Sequence, residues 1–262
     1  MSALPTKRAS VFGALFFFAL PLFASTDCGP RQPPGWQIVQ HVHDGDSLKL
    51  ADRRKIRLIG INTPELARDD QPEQAFAQAA RKRLYDEIKR ANNRVGLVYD
   101  AKLKDRYGRT LAHLFLKDGT NITELLLRQG LGSLVAISPN LEYNECYANA
   151  QQHARRNKLN LWREGNKRII NVDRTSALSS GFQYVRGTVT NVGRGGASTW
   201  LDLGDALSIQ IADKDLEYFK RDRWWPLGQL RGRIIEASGW IYTIKDQYRL
   251  RVHHPSVLNV LE

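Results

Sequence analysis

The spacing of apolar residues in the first part of this chain switches from strand-like to helical and back, and that order leaves few folds open. Short apolar or alternating stretches at 36–42, 47–50 and 56–61 are divided by turn chemistry at Asp44-Gly45 and around Asp52. Across 72–91, Phe76, Ala80, Leu84 and Ile88 recur every fourth residue, with Arg81, Lys82, Asp86 and Lys89 on the other faces. That is the pattern of an amphipathic helix. Strand-like stretches return at 95–103 and 110–116, joined by the polar turn Asp105-Arg106-Tyr107-Gly108. Asn121 then supplies the cap of a short helix that runs to Arg128 and stops at Gly130. A longer helix is predicted over 141–158, with Tyr147, Ala150, Ala154 and Leu161 at core spacing.

Beyond Glu164 the chain turns polar and aperiodic, a linker composition rich in Arg, Asn and Ser. Strands are predicted again at 182–192, 199–203, 206–212, 230–242 and 248–252, with a short helical piece at 215–220. Five strands with one helical insertion suit a small closed barrel of the OB type better than a sandwich fragment. The expected domain map is a leader at 1–26, an α+β domain at 27–165, a linker at 166–180 and a smaller, mainly-β, OB-like domain at 181–262.

The leader reading rests on Lys7 and Arg8 ahead of an apolar run from Val11 to Ala24. A run of ~14 residues suits a signal peptide better than a membrane span. Leu22 fits poorly at the third position before a cut after Ala24, so an uncleaved membrane anchor is the alternative. Export would place the chain in the periplasm or outside the cell, with no stable membrane association once the leader is removed. Two cysteines, Cys28 and Cys146, then suggest one structural disulfide. A buried free Cys146 beside a mobile Cys28 is the other reading.

With 262 residues, 42% of them apolar, the chain can bury a real core, and its net charge of +12 favours polyanions such as nucleic acid. Three stretches carry the chemistry such a partner calls for: Asp44-Gly45-Asp46-Ser47, then Ile56-Arg57-Leu58 through Asn62-Thr63-Pro64-Glu65, then Asp105-Arg106-Tyr107-Gly108-Arg109. Singly, each reads as an ordinary turn or helix start. Together they supply hard oxygens for Ca²⁺ at Asp46 and Asn62. Arg57 and Arg109 add two guanidinium forks that match phosphate oxygens, and Glu65 adds a carboxylate for handling water. An EF-hand is a poor reading, because no glycine follows at the sixth position and no acid closes the loop. No serine or cysteine nucleophile motif is present.

The order and spacing of these stretches resemble the staphylococcal nuclease (thermonuclease) family. The likeness extends to Arg128-Gln129-Gly130-Leu131 and to Asn157-Lys158-Leu159-Asn160-Leu161-Trp162, and spans roughly 36–163. It implies a five-stranded OB-type barrel with three helices that cleaves DNA and RNA endonucleolytically, uses Ca²⁺ and leaves 3′-phosphate ends. By the same likeness Asp46 is the metal carboxylate, Asn62 the second metal position and Thr63 a backbone-carbonyl ligand. Arg57 and Arg109 fall on the phosphate-stabilising arginines and Glu65 on the residue that handles water. Arg106 and Tyr107 fall where the family holds the terminal phosphate of its substrate. Two departures stand out. Asn62 replaces the usual aspartate, which removes one charge and implies weaker Ca²⁺ binding. After Gly130, where the family carries tyrosines that pack around the base, this chain has Ala136 and Ser138.

In the second domain, Arg186, Arg194, Arg231, Arg233, Arg249 and Arg251 interleave with Tyr184, Trp200, Trp224, Trp225, Trp240 and Tyr248. This fits a stacking platform for single strands. It also fits a barrel whose core is filled by aromatics and whose arginines are solvated, and this second arrangement is favoured slightly. Gly193-Arg194-Gly195-Gly196 reads as a hairpin loop, and His253-His254-Pro255 lacks partners at metal spacing. The function expected is an exported, monomeric, calcium-dependent nuclease acting on DNA or RNA. The rivals are a catalytically silent nucleic-acid-binding protein of the cell envelope and an envelope protein that uses its charge on anionic polymers.

Overall fold

A computed structural model describes residues 28–68, 71–164, 169–174, 178–221 and 226–261. The leader at 1–26 lies outside them, as do Trp224 and Trp225. Among the described residues no helix is long and apolar enough to cross a membrane.

The first region is built from β1 (Gly35–Val42), β2 (Ser47–Leu50), β3 (Lys55–Leu58), β4 (Ile61–Asn62), α1 (Ala77–Arg90), β5 (Arg94–Val98), β6 (Thr110–Phe115), α2 (Ile122–Arg128), β7 (Ser133–Leu134) and α3 (Asn144–Arg156). Five strands close a barrel in the order β1-β2-β3-β6-β5, in which only β3 and β6 run parallel. Inward positions such as Leu48, Ile56, Leu58, Val95, Leu97 and Leu114 are buried, as strand alternation requires. From α1, Ala80, Leu84 and Ile88 are buried and join this core. Truncating Leu84 to alanine there costs about 2–5 kcal/mol. The helix begins later than the spacing predicts, because Phe76 stands at φ 69 as its N-cap.

Two predicted strands are shorter than expected, each for a local polar reason. The stretch 95–103 leaves the ladder after Val98. Asp100 there accepts the amides of Ala101 and Glu142 at 2.6 and 3.2 Å, and Leu103 is left exposed. The stretch 56–61 divides into β3 and β4, and Arg57 bridges the break by donating to the carbonyls of Leu58 and Ile61. Asn121 caps α2 by accepting the Glu124 amide. Gly130, at φ 69, lies so close to the Leu159 carbonyl that any side chain would collide with it. Cys28 and Cys146 form the expected disulfide, which ties the segment ahead of β1 to α3.

The second region contains β8 (Ile169–Asn171), β9 (Gly181–Thr188), β10 (Asn191–Arg194), β11 (Ser198–Leu203), β12 (Leu207–Ala212), α4 (Leu216–Arg221), β13 (Ile234–Ile244), β14 (Gln247–Arg251) and β15 (Leu258–Val260). Its main path is β10-β11-β12-β14-β13-β9-β8, with β12 and β14 parallel and β15 paired to β13. β9 and β10 are separated only by Val189 and Thr190, whose amides bond to Arg233 and Asp202 on the two flanking sides. With β9 and β10 counted as one bent strand, the sheet wraps back on itself and its central order follows that of the first barrel, to which β8 and β15 are additions. The segment 166–180, expected to be a plain linker, contributes β8 to this sheet. The interior is aliphatic: Val185, Leu201, Ile209, Ile211, Ile235, Ile241 and Leu250 are buried. That corrects the favoured reading, in which aromatics fill it, for Tyr184, Trp200 and Trp240; Tyr248, beside Leu207 and on the same side of its strand as Leu250, does pack against the interior. By strand alternation Tyr184, Trp200 and Trp240 all project outward.

The two regions are bonded directly. Glu236 on β13, 2% exposed, receives Arg155 of α3 at 2.5 Å and Arg186 of β9 at 2.9 Å. Tyr184 donates to Gln151 of α3, and Ser138 donates to the buried Asp215 at 2.5 Å.

Candidate active site

The turn between β1 and β2 is folded on its own first carboxylate. Asp44 Oδ1 accepts the Asp46 amide at 3.0 Å and the Ser47 hydroxyl at 2.6 Å, an Asx turn of the kind this sequence favours. A Cβ on Gly45 would stand 2.7 Å from Ala80 Cβ and 2.8 Å from Thr63 Cγ2. Glycine is therefore required where the turn presses against α1 and against the segment that follows β4. This packing turns Asp46 inward, where its Oδ2 accepts the Thr63 amide at 2.7 Å.

Arg57 organises the rest of the cluster. Its Nη1 is held by the carbonyls of Leu58 and Ile61 at 2.9 and 2.8 Å, while Nη2 lies 3.2 Å from Asp46 Oδ2 and 3.3 Å from Asn62 Oδ1. One guanidinium nitrogen thus occupies the gap between the two side-chain oxygens expected to hold a metal. Burial pushes the Asp46 carboxyl up to about 7; Arg57 and the Thr63 amide counter it, and Asp44 and Glu65 add to it. A buried carboxylate facing two more acids is short of positive charge.

Glu65 is exposed, with a side chain that accepts no hydrogen bond from another described residue. Its backbone is clamped instead: the amide donates to Gln74 Oε1 at 3.1 Å, and its carbonyl accepts the Gln74 amide at 3.0 Å. The charge of Glu65 acts on Asp46, so the two acids share one region.

Arg109 sits just ahead of β6, the strand that carries Leu111 beside Arg57. Its Nε donates to Asp105 Oδ2 at 2.7 Å and its amide to Asp105 Oδ1 at 2.9 Å. Burial raises the Asp105 carboxyl, but these bonds outweigh it and hold the group below the ordinary range. Tyr107, 67% exposed, is flanked by Arg106 at 4.8 Å and Arg109 at 5.5 Å from its ring centre. Asp46, Arg57, Asn62 and Thr63 are therefore bonded into one cluster. Arg106, Tyr107 and Arg109 form a second cluster around Asp105 at the entry to the adjacent strand. Among the described residues no hydrogen bond or ion pair joins the two.

Asp44, Gln74, Asp105 and Arg68, whose guanidinium lies 3.5 Å from Asp44, take part without having been assigned roles from sequence. The doubled acid of Asp-Gly-Asp and the start of the Asp105 turn were signals for two of them. Nothing local marks Gln74 or Arg68.

Comparison with known proteins bears on this geometry. The family model described as staphylococcal nuclease homologue matches residues 55–164. The chain is 38% identical over 176 residues to the thermonuclease of Staphylococcus hyicus, covering 62% of this chain and 99% of that protein. It is 35% identical over 128 residues to the thermonuclease of Staphylococcus intermedius, covering 48% of this chain and 74% of that one. Endonuclease YncB of Bacillus subtilis is 29% identical over 124 residues, covering 45% of this chain and 57% of its own length.

Proposed function

Because this chain belongs to the staphylococcal nuclease family, we propose that it is a nuclease that hydrolyses phosphodiester bonds of DNA or RNA with the help of bound Ca²⁺. The observation that carries this reading is the convergence of Asp46 Oδ2 and Asn62 Oδ1 on a single cationic nitrogen. A positive group already fits there, the donors are hard oxygens, and the buried carboxylate is under-compensated. Asp46, Asn62 and the Thr63 carbonyl would hold the cation, which when bound supplies positive charge against the negative charge that builds on the phosphoryl oxygens.

The chain's own groups divide the remaining work. Once Asp46 and Asn62 are engaged elsewhere, Nη2 of Arg57 is free to meet a phosphate oxygen while Nη1 stays fixed by two carbonyls. Arg109 offers the second fork, and Arg106 with Tyr107 a place for a terminal phosphate. Glu65 takes a proton from the attacking water as the new P–O bond forms and the bond from phosphorus to the 5′ oxygen breaks. The leaving 5′ oxygen takes a proton from solvent water, Glu65 returns its proton to solvent, and a 3′-phosphate end is left. Residues 1–26 would export the chain to the periplasm or beyond as a monomer, and the Cys28–Cys146 disulfide suits an oxidising compartment.

Incubation of the purified protein with DNA is expected to give cleavage that requires calcium and stops with EDTA. Glu65→Gln should lower cleavage by at least about a hundredfold while leaving DNA binding intact. Asn62→Asp should tighten calcium binding about tenfold by restoring a charged ligand. DNA that stays intact at every calcium concentration, yet binds, would replace this reading with that of a silent nucleic-acid-binding protein, which the neutral Asn62 would then explain.

A further inference from the structure

The outer face of the second barrel has the make-up of a binding surface, and it lies on a different barrel from the cluster around Asp46. Trp200 on β11, Gln210 on β12 and Arg251 on β14 stand in register on three adjacent strands. The guanidinium of Arg249 lies 5.1 Å from the ring centre of Trp200. Trp200 Nε1 donates to the Gly195 carbonyl at 3.0 Å, which fixes the plane of the indole. Arg251 donates to Gln210 Oε1 through both Nε and Nη2, at 3.0 and 2.9 Å, and the Tyr242 hydroxyl donates to the same oxygen at 3.2 Å. Next along, Trp240 pairs across the ladder with Phe182, their ring centres 5.1 Å apart and edge to face. Trp240 is 41% exposed in a strand whose inward positions are almost wholly buried.

Several features select the occupant. Aromatic rings and guanidinium planes alternate across neighbouring strands, held in place by bonds within the face. Of the carboxylates on this side of the sheet, Asp202 is already engaged by Ser208 at 2.7 Å and Asn191 at 3.0 Å, and Glu236 by Arg155 and Arg186. The face runs from the second and third strands of the barrel, β11 and β12, across β14 to β13. It is bordered by the glycine turn after β10 and the Lys245-Asp246 turn between β13 and β14. Barrels of this topology use that surface and those turns for extended polymers with stackable groups. A duplex hides its base faces, so flat rings beside cations suit unpaired bases with phosphates between them.

We propose that this face of the second barrel, centred on Trp200, Trp240, Arg249 and Arg251, is a binding site for single-stranded nucleic acid. The proposal deepens the nuclease reading by giving the chain a second hold on its substrate, on a barrel other than the one that bears the cleavage cluster.

Binding is measured with the full chain in EDTA, so that cleavage does not interfere, using labelled oligothymidylate of about 15 nucleotides, near the upper site size of one such barrel. Trp240→Ala is expected to weaken binding about tenfold, and Trp240→Phe to keep it within about twofold, because a ring remains to stack. Arg249→Ala should reduce the slope of affinity against salt by about 0.7. Trp36→Ala, which removes an exposed tryptophan of the first barrel, should change nothing. Should Trp240→Ala fail to fold, Trp240→Phe and Arg249→Ala decide. The proposal is overturned if Trp240→Ala and Arg249→Ala bind as the parent does, or if Trp36→Ala loses as much. Cleavage with tryptophan-independent binding would sink this proposal and leave the nuclease standing. Tryptophan-dependent binding without cleavage would do the reverse.

Discussion

Asp46 is pulled two ways by its surroundings. Burial and the neighbouring Asp44 and Glu65 favour its neutral form, while Arg57 and the Thr63 amide favour the ion. Its ordinary value is 3.8 and its value in the fold about 7, so across that window the folded, cation-free chain holds a proton that the unfolded chain has released. The contribution is fully present below 3.8 and lost as pH rises through 7, so the cation-free fold loses stability over that range. Calcium binding should run in the opposite direction, because the cation must displace that proton. Affinity is expected to fall roughly tenfold for each unit below about pH 7 and to level off above it. Calorimetric titrations with calcium between about pH 5 and pH 8 check this. A flat profile would remove Asp46 from the ligand set.

Between elements, the decisive contact is the press of the Asp44-Gly45-Asp46 turn against Ala80 of α1 and Thr63 after β4. Gly45→Ala is expected to destabilise the protein by roughly 1–3 kcal/mol through overpacking. It should depress calcium binding further than stability alone explains, since the displaced turn carries Asp46. Adding Ala80→Gly should restore part of both by clearing one of the two collisions. Thermal melts alongside calcium titrations decide it; unchanged calcium affinity in Gly45→Ala would show that the turn does not set the carboxylate. At this scale the sequence was a good guide to which elements exist and a poorer one to where they stop. The ends of β5 and β3 were settled by Asp100 and Arg57, side chains that draw backbone groups out of the ladder. Apolar spacing carries no record of such bonds.

Over the whole molecule, two barrels of the same strand order are joined through α3, with Glu236 buried between Arg155 and Arg186. Glu236→Ala leaves two partly exposed guanidinium groups without their carboxylate and should cost about 3 kcal/mol, the low end of the range for a broken buried pair. Urea unfolding should then separate into two transitions as the barrels uncouple, seen as tryptophan fluorescence and circular dichroism that no longer coincide. A single, unshifted transition would mean that the barrels are coupled elsewhere, through Ser138–Asp215 or Gln151–Tyr184. The polar segment ahead of β9 read as a tether because its composition is that of one. Only the placement of Ile169–Asn171 beside β9 makes it part of the second sheet.

Local chemistry determined what the sequence alone records: the Asp-Gly turn, the four-residue repeat of α1, the cap at Asn121, the stop at Gly130, and the two cysteines that had only each other. Each depends on residues a few positions apart or on a count, so the linear chain records it. The tertiary structure decided that Arg57 lies between Asp46 and Asn62, that Gln74 clamps Glu65, and that Tyr184, Trp200 and Trp240 of the second barrel face outward while Tyr248 packs inward. A strand's side chains change faces with a shift of one residue, and register is set by partners far along the chain.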